Sequence, residues 1–429
     1  MTQRKSLNDW LSYMESMHPT EIDLGLDRIK QVSDKLQLEP LADQVITVAG
    51  TNGKGTSCAF LEAYSQGIDK KVGLYTSPHL IRFNERVRVN GQEVSDQQLL
   101  SAFEVIELAR GDTSLTYFEF TTLAAMWLFK QAMLDVVILE VGLGGRLDAV
   151  NIIDPDLALV TSISVDHEAW LGHDIEAIGR EKAGIFRAHK PAVFGAEGKP
   201  QSVGDYASDI GAQFYQAGRD YQLIASDSHW QWQACGDDCS NGQSFEGLIH
   251  PSFPVQNVAT CIMGLSQLGW LLTAERINWA IEHAFIRGRM EPFNHQGVEG
   301  WLDVAHNPES AKHLARQLKK KTAPGQNNVA VFGAMSDKDI DGVIDELKDV
   351  ISHWLCIDLP IDRAISSAEL KEMLQSKGMS AEQFATFESA FNTIKSATDF
   401  SEQETTADNL VVLGSFFTVA EAIMYFDKQ

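Results

Sequence analysis

Short apolar runs rich in β-branched residues alternate with helical periods along most of the chain, and this alternation limits its fold more than any other feature. From residue 44 the strand-like runs are QVITVAG, KVGLYTSP, DVVILEVGLGG, LALVTSIS and PAVFG, and segments with helical periodicity separate them. Continuous apolar strands joined by helices form parallel sheets covered on both faces. The pattern therefore predicts an α/β fold with a doubly wound, mainly parallel sheet.

Two later segments are distinct from this first series of strands and helices. Residues 220–250 contain HWQWQACGDDCSNGQ, whose alternating aromatic and turn residues predict a small antiparallel excursion. After RGRMEPFNHQG a second alternating series begins at GWLDVAHNP and continues to the closing helix. It predicts a smaller, Rossmann-like α/β domain of about 130 residues, which is an ordinary domain size. The predicted domains are residues 1–290 and 297–429.

Composition excludes several classes of protein. The formal charge of −24 repels nucleic acid, and no run approaches the roughly 18–20 apolar residues of a membrane span. The N-terminal segment predicts an amphipathic helix with Trp10, Leu11, Met14 and Met17 on one side, and it lacks the uninterrupted apolar segment of an export signal. We therefore expect a cytoplasmic protein without nucleic-acid or membrane partners. Its five cysteines are scattered, and Cys235 and Cys239 lack a second pair at zinc-site spacing.

The segment VAGTNGKGTSC, residues 48–58, resembles a phosphate-binding loop with altered spacing, because Gly55 separates Lys54 from Thr56. VITVAG predicts a strand, TNG a tight turn, and KGTSCAFLEAYSQG a helix. The backbone N–H groups of residues 52–56 would then meet the helix dipole at an anion site, where Lys54 adds a full positive charge. An ordinary glycine-rich turn is the alternative, and the lysine, Thr56 as a helix-capping residue and the strand context favour phosphate.

These residues resemble the folylpolyglutamate synthase/dihydrofolate synthase family, which is related to the muramyl-peptide ligases. The family's loop reads G-T-N-G-K-G-[ST], and Gly55 favours the folate enzymes over the cell-wall ligases. The resemblance continues in order along the chain through YTSPHL, ERVRVNG, TYFEFTT, LEVGLGGRLDAVN, SVDHEAWLG, EKAGIFR, RGRME and LDVAHNP. It implies a first domain like the Mur ligase central domain and a second like the Mur ligase C-terminal, glutamate-ligase domain.

The resemblance also implies sites for ATP, two magnesium ions and a pterin. The ATP-binding residues would be Thr51, Asn52, Gly53, Lys54, Gly55, Thr56, Asn257, Arg289, Asp303 and His306. The metal ligands would be Ser77, Glu140, His167 and a carbamylated Lys182. The catalytic residues would be Lys54, Lys182 and His167. The pterin-binding residues would be Ile22, Asp23, Leu24, Thr116, Tyr117, Phe118, Glu119, Leu147, Asp148 and Ala149.

Several of these residues have a simpler interpretation when the sequence is considered without the family. Glu140 ends an apolar strand and could form a structural salt bridge, and His167 could be a hydrogen-bonded structural residue. Lys182 could lie on a helix surface, and Phe118 is as consistent with the core as with a stacked ring. Asn257 precedes an apolar helix, where it would equally suit an N-cap.

The activity implied by the resemblance is that of an ATP-dependent amide-bond ligase acting as a monomer. A substrate carboxylate would attack the γ-phosphate of ATP, and the amine of L-glutamate would displace phosphate from the acyl phosphate. The three pterin segments favour a bifunctional enzyme that extends both dihydropteroate and reduced folates. A folylpolyglutamate synthase with one activity, a muramyl-peptide ligase and an ATP-binding regulator without catalysis remain as alternatives.

Overall fold

The computed structural model describes residues 6–20, 22–166, 168–235, 242–399 and 408–428. The chain divides into two compact units, Met1–Phe285 and Ile286–Gln429. None of the helices in these described ranges combines the length and the apolar character needed to cross a membrane.

The described part of the N-terminal unit contains an eight-stranded sheet. Its strands are β1 Ala42–Ala49, β2 Val72–Tyr75, β3 Val87–Val89, β4 Gln92–Glu93, β5 Leu134–Glu140, β6 Leu157–Val160, β7 Pro191–Phe194 and β8 Gln213–Gln216. Their spatial order is β4-β3-β2-β5-β1-β6-β7-β8. The pairs β2–β3 and β3–β4 are antiparallel, and all other neighbours are parallel. The predicted mainly parallel sheet is confirmed.

Helices accompany these strands along the chain. They are α1 Leu7–Met17, α2 Asp27–Leu36, α3 Lys54–Gly67, α4 Asp96–Arg110, α5 Tyr117–Ala132, α6 Glu168–Leu171, α7 Ile175–Ala183, α8 Ser202–Ile210, α9 Val255–Gln267 and α10 Ala274–His283, with 3-10 turns at Phe83–Arg86 and Ala149–Ile152. The predicted amphipathic helix α1 is confirmed, since Trp10 and Met14 are buried. Helix α2 was not predicted; it buries Ile29 and Val32 in the core.

Both faces of the central sheet are covered. In β1, Val45 and Ala49 belong to one hydrophobic cluster, which includes side chains of α1, α2, α4 and α5. The alternate residues Ile46 and Val48 belong to a second cluster, with side chains of α3, α9 and α10. Because successive strand residues point to opposite faces, an uninterrupted apolar strand is buried on both sides, as the sequence pattern predicted.

The predicted antiparallel excursion is a three-stranded sheet of β9 Tyr221–Ala225, β10 His229–Ala234 and β11 Ser244–Ile249, in the order β11-β10-β9. Trp230 and Trp232 alternate with exposed or half-buried residues along β10 and point into the core. Each indole N–H is satisfied, because Trp230 donates to Ile249 O at 2.8 Å and Trp232 donates to Ala259 O at 3.1 Å. Cys239 lies outside the described residues.

The C-terminal unit contains a six-stranded sheet among its described residues. Its strands are β12 Glu291–His295, β13 Val298–Leu302, β14 Asn328–Phe332, β15 His353–Ile357, β16 Ala381–Phe384 and β17 Asn409–Leu413, in the order β12-β13-β17-β14-β15-β16. Its helices are α11 Pro308–Lys321, α12 Ile340–Leu347, α13 Ser367–Ser376, α14 Phe387–Asp399 and α15 Phe416–Asp427. All pairs are parallel except β12–β13, as expected for a second α/β unit.

Candidate active site

Four neighbouring strands of the N-terminal sheet end at one edge, and the predicted site residues follow them. The strands lie in the order β2-β5-β1-β6 and pair in parallel. Ser77 follows β2, Glu140 ends β5, residues 50–53 follow β1, and residues 161–166 follow β6. Ligands of doubly wound sheets bind beyond the carboxyl ends of the strands, so the topology brings these segments to the expected location.

Residues 161–164 support the loop after β1. Thr51 N donates to Ser162 O at 2.6 Å, and the Thr161 hydroxyl donates to Asn52 O at 2.6 Å. The Thr51 hydroxyl donates to Ser164 O, and Ser164 N donates back to that hydroxyl, both at 3.0 Å. These bonds hold the loop in one conformation without using the N–H groups at the start of α3.

Helix α3 presents its amino end at this loop. Its first i to i−4 bond runs from Ser57 N to Gly53 O at 2.9 Å, so the N–H groups of residues 54–56 precede the hydrogen-bonded ladder. Lys54 Nζ donates to Gly50 O at 3.0 Å and to Thr51 O at 3.1 Å, which folds the cation over the loop. The N–H groups, the helix dipole and the ammonium together form an anion site.

Thr56 and Asn257 join α3 to α9 beside the loop. The N-cap of α3 is Gly53, whereas Thr56 lies in the first turn and donates its hydroxyl to Gly53 O at 2.9 Å. Asn257 Nδ2 donates to the same Thr56 hydroxyl at 2.7 Å. Pro254 occupies the N-cap position of α9, so the interpretations of Thr56 and Asn257 as helix caps are both wrong. Asn257 lies in the first turn of α9, and its amide is directed at Thr56.

Gly53 is required by both backbone and packing. Its φ is +89°, and a Cβ at this position would lie 2.6 Å from Asn257 Oδ1. We expect Gly53→Ala to lower the free energy of unfolding by about 2–4 kcal/mol, from strain plus the clash. Chemical denaturation measures the change. Gly198→Ala is the matched control, because Gly198 has a φ of +74° and no atom within 4 Å of the added Cβ. Equal losses in the two variants would contradict the role given to Asn257.

Lys182 lies at the end of α7 and is buried, with 5% of its surface exposed, so the simpler interpretation as a helix-surface lysine is wrong. Its Nζ donates to Gly50 O at 3.0 Å, the same carbonyl that accepts from Lys54. Burial, and then the nearby Lys54 ammonium, lower the pKa of Lys182 to about 7. Near neutral pH its amine is therefore partly uncharged.

Glu140 and Ser77 lie side by side at the ends of β5 and β2. Glu140 is 5% exposed, and Ser77 N donates to its Oε2 at 3.2 Å. A Cβ at Gly55 would lie 3.8 Å from Glu140 Oε1, so the loop passes close to this carboxylate. Carboxylate and hydroxyl oxygens are donors that Mg²⁺ prefers. The described residues contain no group of three or more His, Cys, Asp or Glu that could hold a metal, and His167 lies outside them.

The predicted pterin segments lie in the N-terminal unit. Thr116 is the N-cap of α5, and its hydroxyl accepts from Glu119 N at 3.2 Å, while Thr116 N donates to Glu119 Oε2 at 2.8 Å. Phe118 packs 6.0 Å from the Tyr75 ring and beside Gly142, and it is half-buried. Phe118 therefore packs partly against the core, and part of its ring remains exposed.

The other pterin segments flank this region. Ile22 and Leu24 are half-buried, Asp23 is exposed, and Leu147 and Ala149 lie on either side of the buried Asp148. Burial raises the pKa of Asp148 to about 6, although its carboxylate accepts N–H groups from Leu143 and Val150.

Sequence reasoning missed Arg28, which joins two of these segments. Arg28 Nε donates to Glu119 Oε2 at 2.8 Å, and Nη1 donates to Asp23 Oδ2 at 2.5 Å. The only signal in the sequence was a cation close to the segment EIDLGL, and nothing local to it indicates that α5 supplies the second carboxylate.

Arg289 and Asp303 both belong to the C-terminal unit, whereas the sequence interpretation put a domain boundary between them. The carboxylate of Asp303 accepts from Met290 N and Ala305 N, each at 2.9 Å. Burial raises the pKa of Asp303, and the Arg289 guanidinium opposes that change. Arg289 itself stacks 5.7 Å from the Phe416 ring. Asp303 thus holds the turn after β13, close to Arg289.

His306 and Asn307 continue the same turn. The Nδ1–H of His306 donates to Val304 O at 2.9 Å. Asn307 is the N-cap of α11, and its Oδ1 accepts from Ser310 N at 3.0 Å. The structure therefore gives Asn307 a helix-capping role and holds the His306 ring in a defined orientation.

Comparison with known proteins assigns families to both units. Residues 48–222 match the family model of the Mur ligase middle domain, and residues 288–416 match that of the Mur ligase glutamate ligase domain. The first match contains the loop, Ser77, Glu140 and Lys182, and the second contains Arg289, Asp303 and His306.

Individual relatives match nearly the whole chain. The dihydrofolate synthase/folylpolyglutamate synthase of Escherichia coli K12 is 43% identical over 99% of this chain and 96% of its own length. The structure of E. coli FolC in complex with DHPP and ADP superimposes with a TM-score of 0.91 at 42% identity, covering 99% of this chain and 98% of that one. A bifunctional folylpolyglutamate synthase/dihydrofolate synthase with Mn, AMPPNP and L-glutamate bound gives a TM-score of 0.89 at 43% identity, covering 100% of both chains. The chain therefore belongs to the dihydrofolate synthase/folylpolyglutamate synthase family.

Proposed function

We propose that this protein is an ATP-dependent ligase that joins L-glutamate to dihydropteroate, making dihydrofolate, and to reduced folates, making γ-polyglutamate tails. The observation that carries this conclusion is the match to bifunctional relatives along nearly the whole chain. The anion site at the start of α3 supports it, because a ligase that activates a carboxylate with ATP must first hold the phosphates.

The reaction has two steps. A carboxylate oxygen of the folate precursor attacks the γ-phosphorus of ATP, which forms an acyl phosphate and releases ADP. The amine nitrogen of L-glutamate then attacks the acyl carbon, the tetrahedral intermediate expels phosphate, and the nitrogen loses a proton as the amide forms. No covalent protein nucleophile is needed, so the protein contributes mainly positioning and charge stabilisation.

Lys54 and the amino end of α3 are assigned to the phosphates. In the structure Lys54 Nζ donates to two loop carbonyls, Gly50 O and Thr51 O. Those bonds would be exchanged for phosphate oxygens when nucleotide binds, because a cation gains more from a charged acceptor than from a neutral carbonyl. Thr51, Asn52, Gly53, Gly55, Thr56 and Asn257 are assigned to the same nucleotide. The nucleotide role expected for Arg289, Asp303 and His306 stays a prediction.

A divalent metal is assigned to Ser77, Glu140, His167 and Lys182, with two magnesium ions expected. These residues would hold the metal, which would supply positive charge to neutralise the charge that develops on the transferred group. The buried Glu140 carboxylate and the neighbouring Ser77 hydroxyl are suitable oxygen donors. The negative charge of the Glu140 carboxylate lies close to the loop that carries Lys54.

Lys182 would serve as a ligand only after conversion to a carbamate. A neutral amine reacts with CO2, whereas an ammonium does not, and the lowered pKa of Lys182 supplies the neutral form. Carbamylation converts this partly protonated amine into a carboxylate-like group, which attracts the Lys54 ammonium instead of repelling it.

The pterin end of the substrate is assigned to Ile22, Asp23 and Leu24, to Thr116, Tyr117, Phe118 and Glu119, and to Leu147, Asp148 and Ala149. Phe118 supports this assignment because a half-buried aromatic ring can stack on a flat heterocycle. A monomer in the cytoplasm, with small-molecule partners alone, stays our expectation.

A substrate panel tests the function. Purified protein with ATP and Mg²⁺ is expected to release phosphate when L-glutamate is combined with dihydropteroate, and also when it is combined with tetrahydrofolate, and mass spectrometry should find one added glutamate. Turnover with tetrahydrofolate but not with dihydropteroate would show that the enzyme is a folylpolyglutamate synthase with one activity. Turnover only with a UDP-muramyl peptide would contradict the proposal, as would nucleotide binding without turnover of any acceptor.

A further inference from the structure

The side chain of Arg28 connects two segments that are far apart in the sequence. Nη1 donates to Asp23 Oδ2 at 2.5 Å, and Nη2 donates to the Asp23 carbonyl oxygen. Nε donates to Glu119 Oε2 at 2.8 Å, at the first turn of α5. All three nitrogens of the guanidinium are engaged, two with the segment at residues 22–24 and one with α5. Such geometry uses the planar fork of arginine, which lysine lacks.

The buried Glu119 carboxylate depends on Arg28 as its counter-ion. Its Oε2 also accepts from Thr116 N at 2.8 Å and from the Thr116 hydroxyl at 3.0 Å. Its Oε1 is buried and has no hydrogen-bond partner among the described residues. The side chain is 4% exposed, so removal of Arg28 would leave a buried carboxylate without its counter-ion.

Helix α2 is anchored independently of Arg28. Ile29 and Val32 are completely buried in the core that contains Phe120 of α5 and Ala149 and Val150 of the 3-10 turn. Loss of the Arg28 side chain would therefore leave α2 in place. Without the hydrogen bonds of Arg28, two parts of the chain would lose a restraint. They are the segment before α2, at residues 22–24, and the first turn of α5.

We propose that Arg28 is a positioning residue for dihydropteroate, because it holds residues 22–24 against the amino end of α5 and neutralises Glu119. The inference rests on the proposed function, which assigns both segments to the pterin. Arg28 acts through Asp23 and Glu119, so its removal should weaken acceptor binding without a comparable effect on ATP or L-glutamate.

The experiment compares Arg28→Gln and Arg28→Lys with a matched control, Arg110→Gln. Arg110 also lies in the N-terminal unit and pairs with a glutamate, donating to Glu107 Oε2 at 2.7 Å and to the Tyr13 hydroxyl at 2.6 Å. It joins α4 to α1, and none of its hydrogen-bond partners among the described residues is assigned to the pterin. The measurements are kcat, the separate KM values for dihydropteroate, ATP and L-glutamate, and the thermal midpoint of each variant.

Arg28→Gln is expected to raise the KM for dihydropteroate about tenfold, while the KM values for ATP and L-glutamate change by less than about twofold. Arg28→Lys should restore part of the affinity, because it retains the charge near Glu119. Arg110→Gln should leave all three KM values close to those of the wild type. Hydrogen exchange should show faster exchange at residues 22–24 in Arg28→Gln than in Arg110→Gln.

Several results would overturn the inference. One is an unchanged KM for dihydropteroate in both Arg28 variants, and another is a parallel rise of all three KM values. If Arg28→Gln does not fold, Arg28→Lys decides, because the selective rise in the KM for dihydropteroate must still appear in it. Wild-type turnover of dihydropteroate is measured first, so a failure of the proposed function is distinguished from a failure of the role given to Arg28.

Discussion

Lys54→Met should lower kcat for glutamate addition about a thousandfold with either folate acceptor. The methionine keeps most of the length and the apolar stem of the side chain, and it removes the positive charge that the proposal directs at the transferred phosphoryl group. In the structure the ammonium lies over the loop and contacts Gly50 O and Thr51 O, and the proposal exchanges these contacts for phosphate oxygens when nucleotide binds. Initial rates at saturating ATP, acceptor and L-glutamate measure the effect.

Lys35→Met is the control for the removal of a lysine charge from this unit. Lys35 also donates to a backbone carbonyl, Ala109 O at 3.2 Å, but it is exposed and lies on α2, outside the loop. We expect its rates to match those of the wild type. If Lys54→Met retained more than about a tenth of the wild-type rate, the assignment of the loop to the reacting phosphates would be wrong.

The second large effect is expected at Lys182. Lys182→Ala should reduce kcat about a hundredfold or more while the protein remains folded, because the proposal makes this residue a carbamylated metal ligand. Lys182→Met should have a similar effect on kcat and better preserve packing around a side chain that is 5% exposed. The buried Lys182 amine carries a charge part of the time, and burying that charge costs free energy. Because Lys182→Met removes this cost, its thermal midpoint should not fall below that of the wild type.

Lys190→Ala serves as the control here, because Lys190 is a largely exposed lysine paired with Asp156 at 2.9 Å. Protein equilibrated with ¹³C-bicarbonate should give a carbamate signal in ¹³C NMR spectra, and that signal should disappear in Lys182→Ala. Wild-type rates in Lys182→Ala would show that the carbamate assignment is wrong, even if other parts of the site behaved as expected.

The main elements of the fold could be predicted because their signals are local. Strand β1 has an uninterrupted apolar run, and its successive residues Val45 and Ile46 face different hydrophobic clusters. The tryptophans of β10 alternate in the sequence and point into the core. Helix α2 escaped prediction because its apolar face is narrow, with Ile29 and Val32 among charged residues. Its stability comes from the core that it contacts.

Only part of the site could be predicted, and the reason is again that local signals are readable in the sequence whereas contacts between distant residues are not. The loop motif located Lys54 and the amino end of α3 from local residues alone. Asn257 has an ambiguous local sequence, which suited a helix cap equally well, and only the structure shows that Pro254 is the N-cap and that Asn257 contacts Thr56. Arg28 was missed because its importance depends on Glu119 of another helix.

The sequence by itself determined the alternation of strands and helices, the phosphate-binding loop and the family, because these depend on neighbouring residues and on the order of motifs. Only the tertiary structure decided the partners of buried polar groups. Arg28 and Glu119 are 91 residues apart, Lys182 and Gly50 are 132 apart, and Asn257 and Thr56 are 201 apart. Charge and burial act over a few ångströms in space, so their effects on pKa and position arise only when folding brings such residues together.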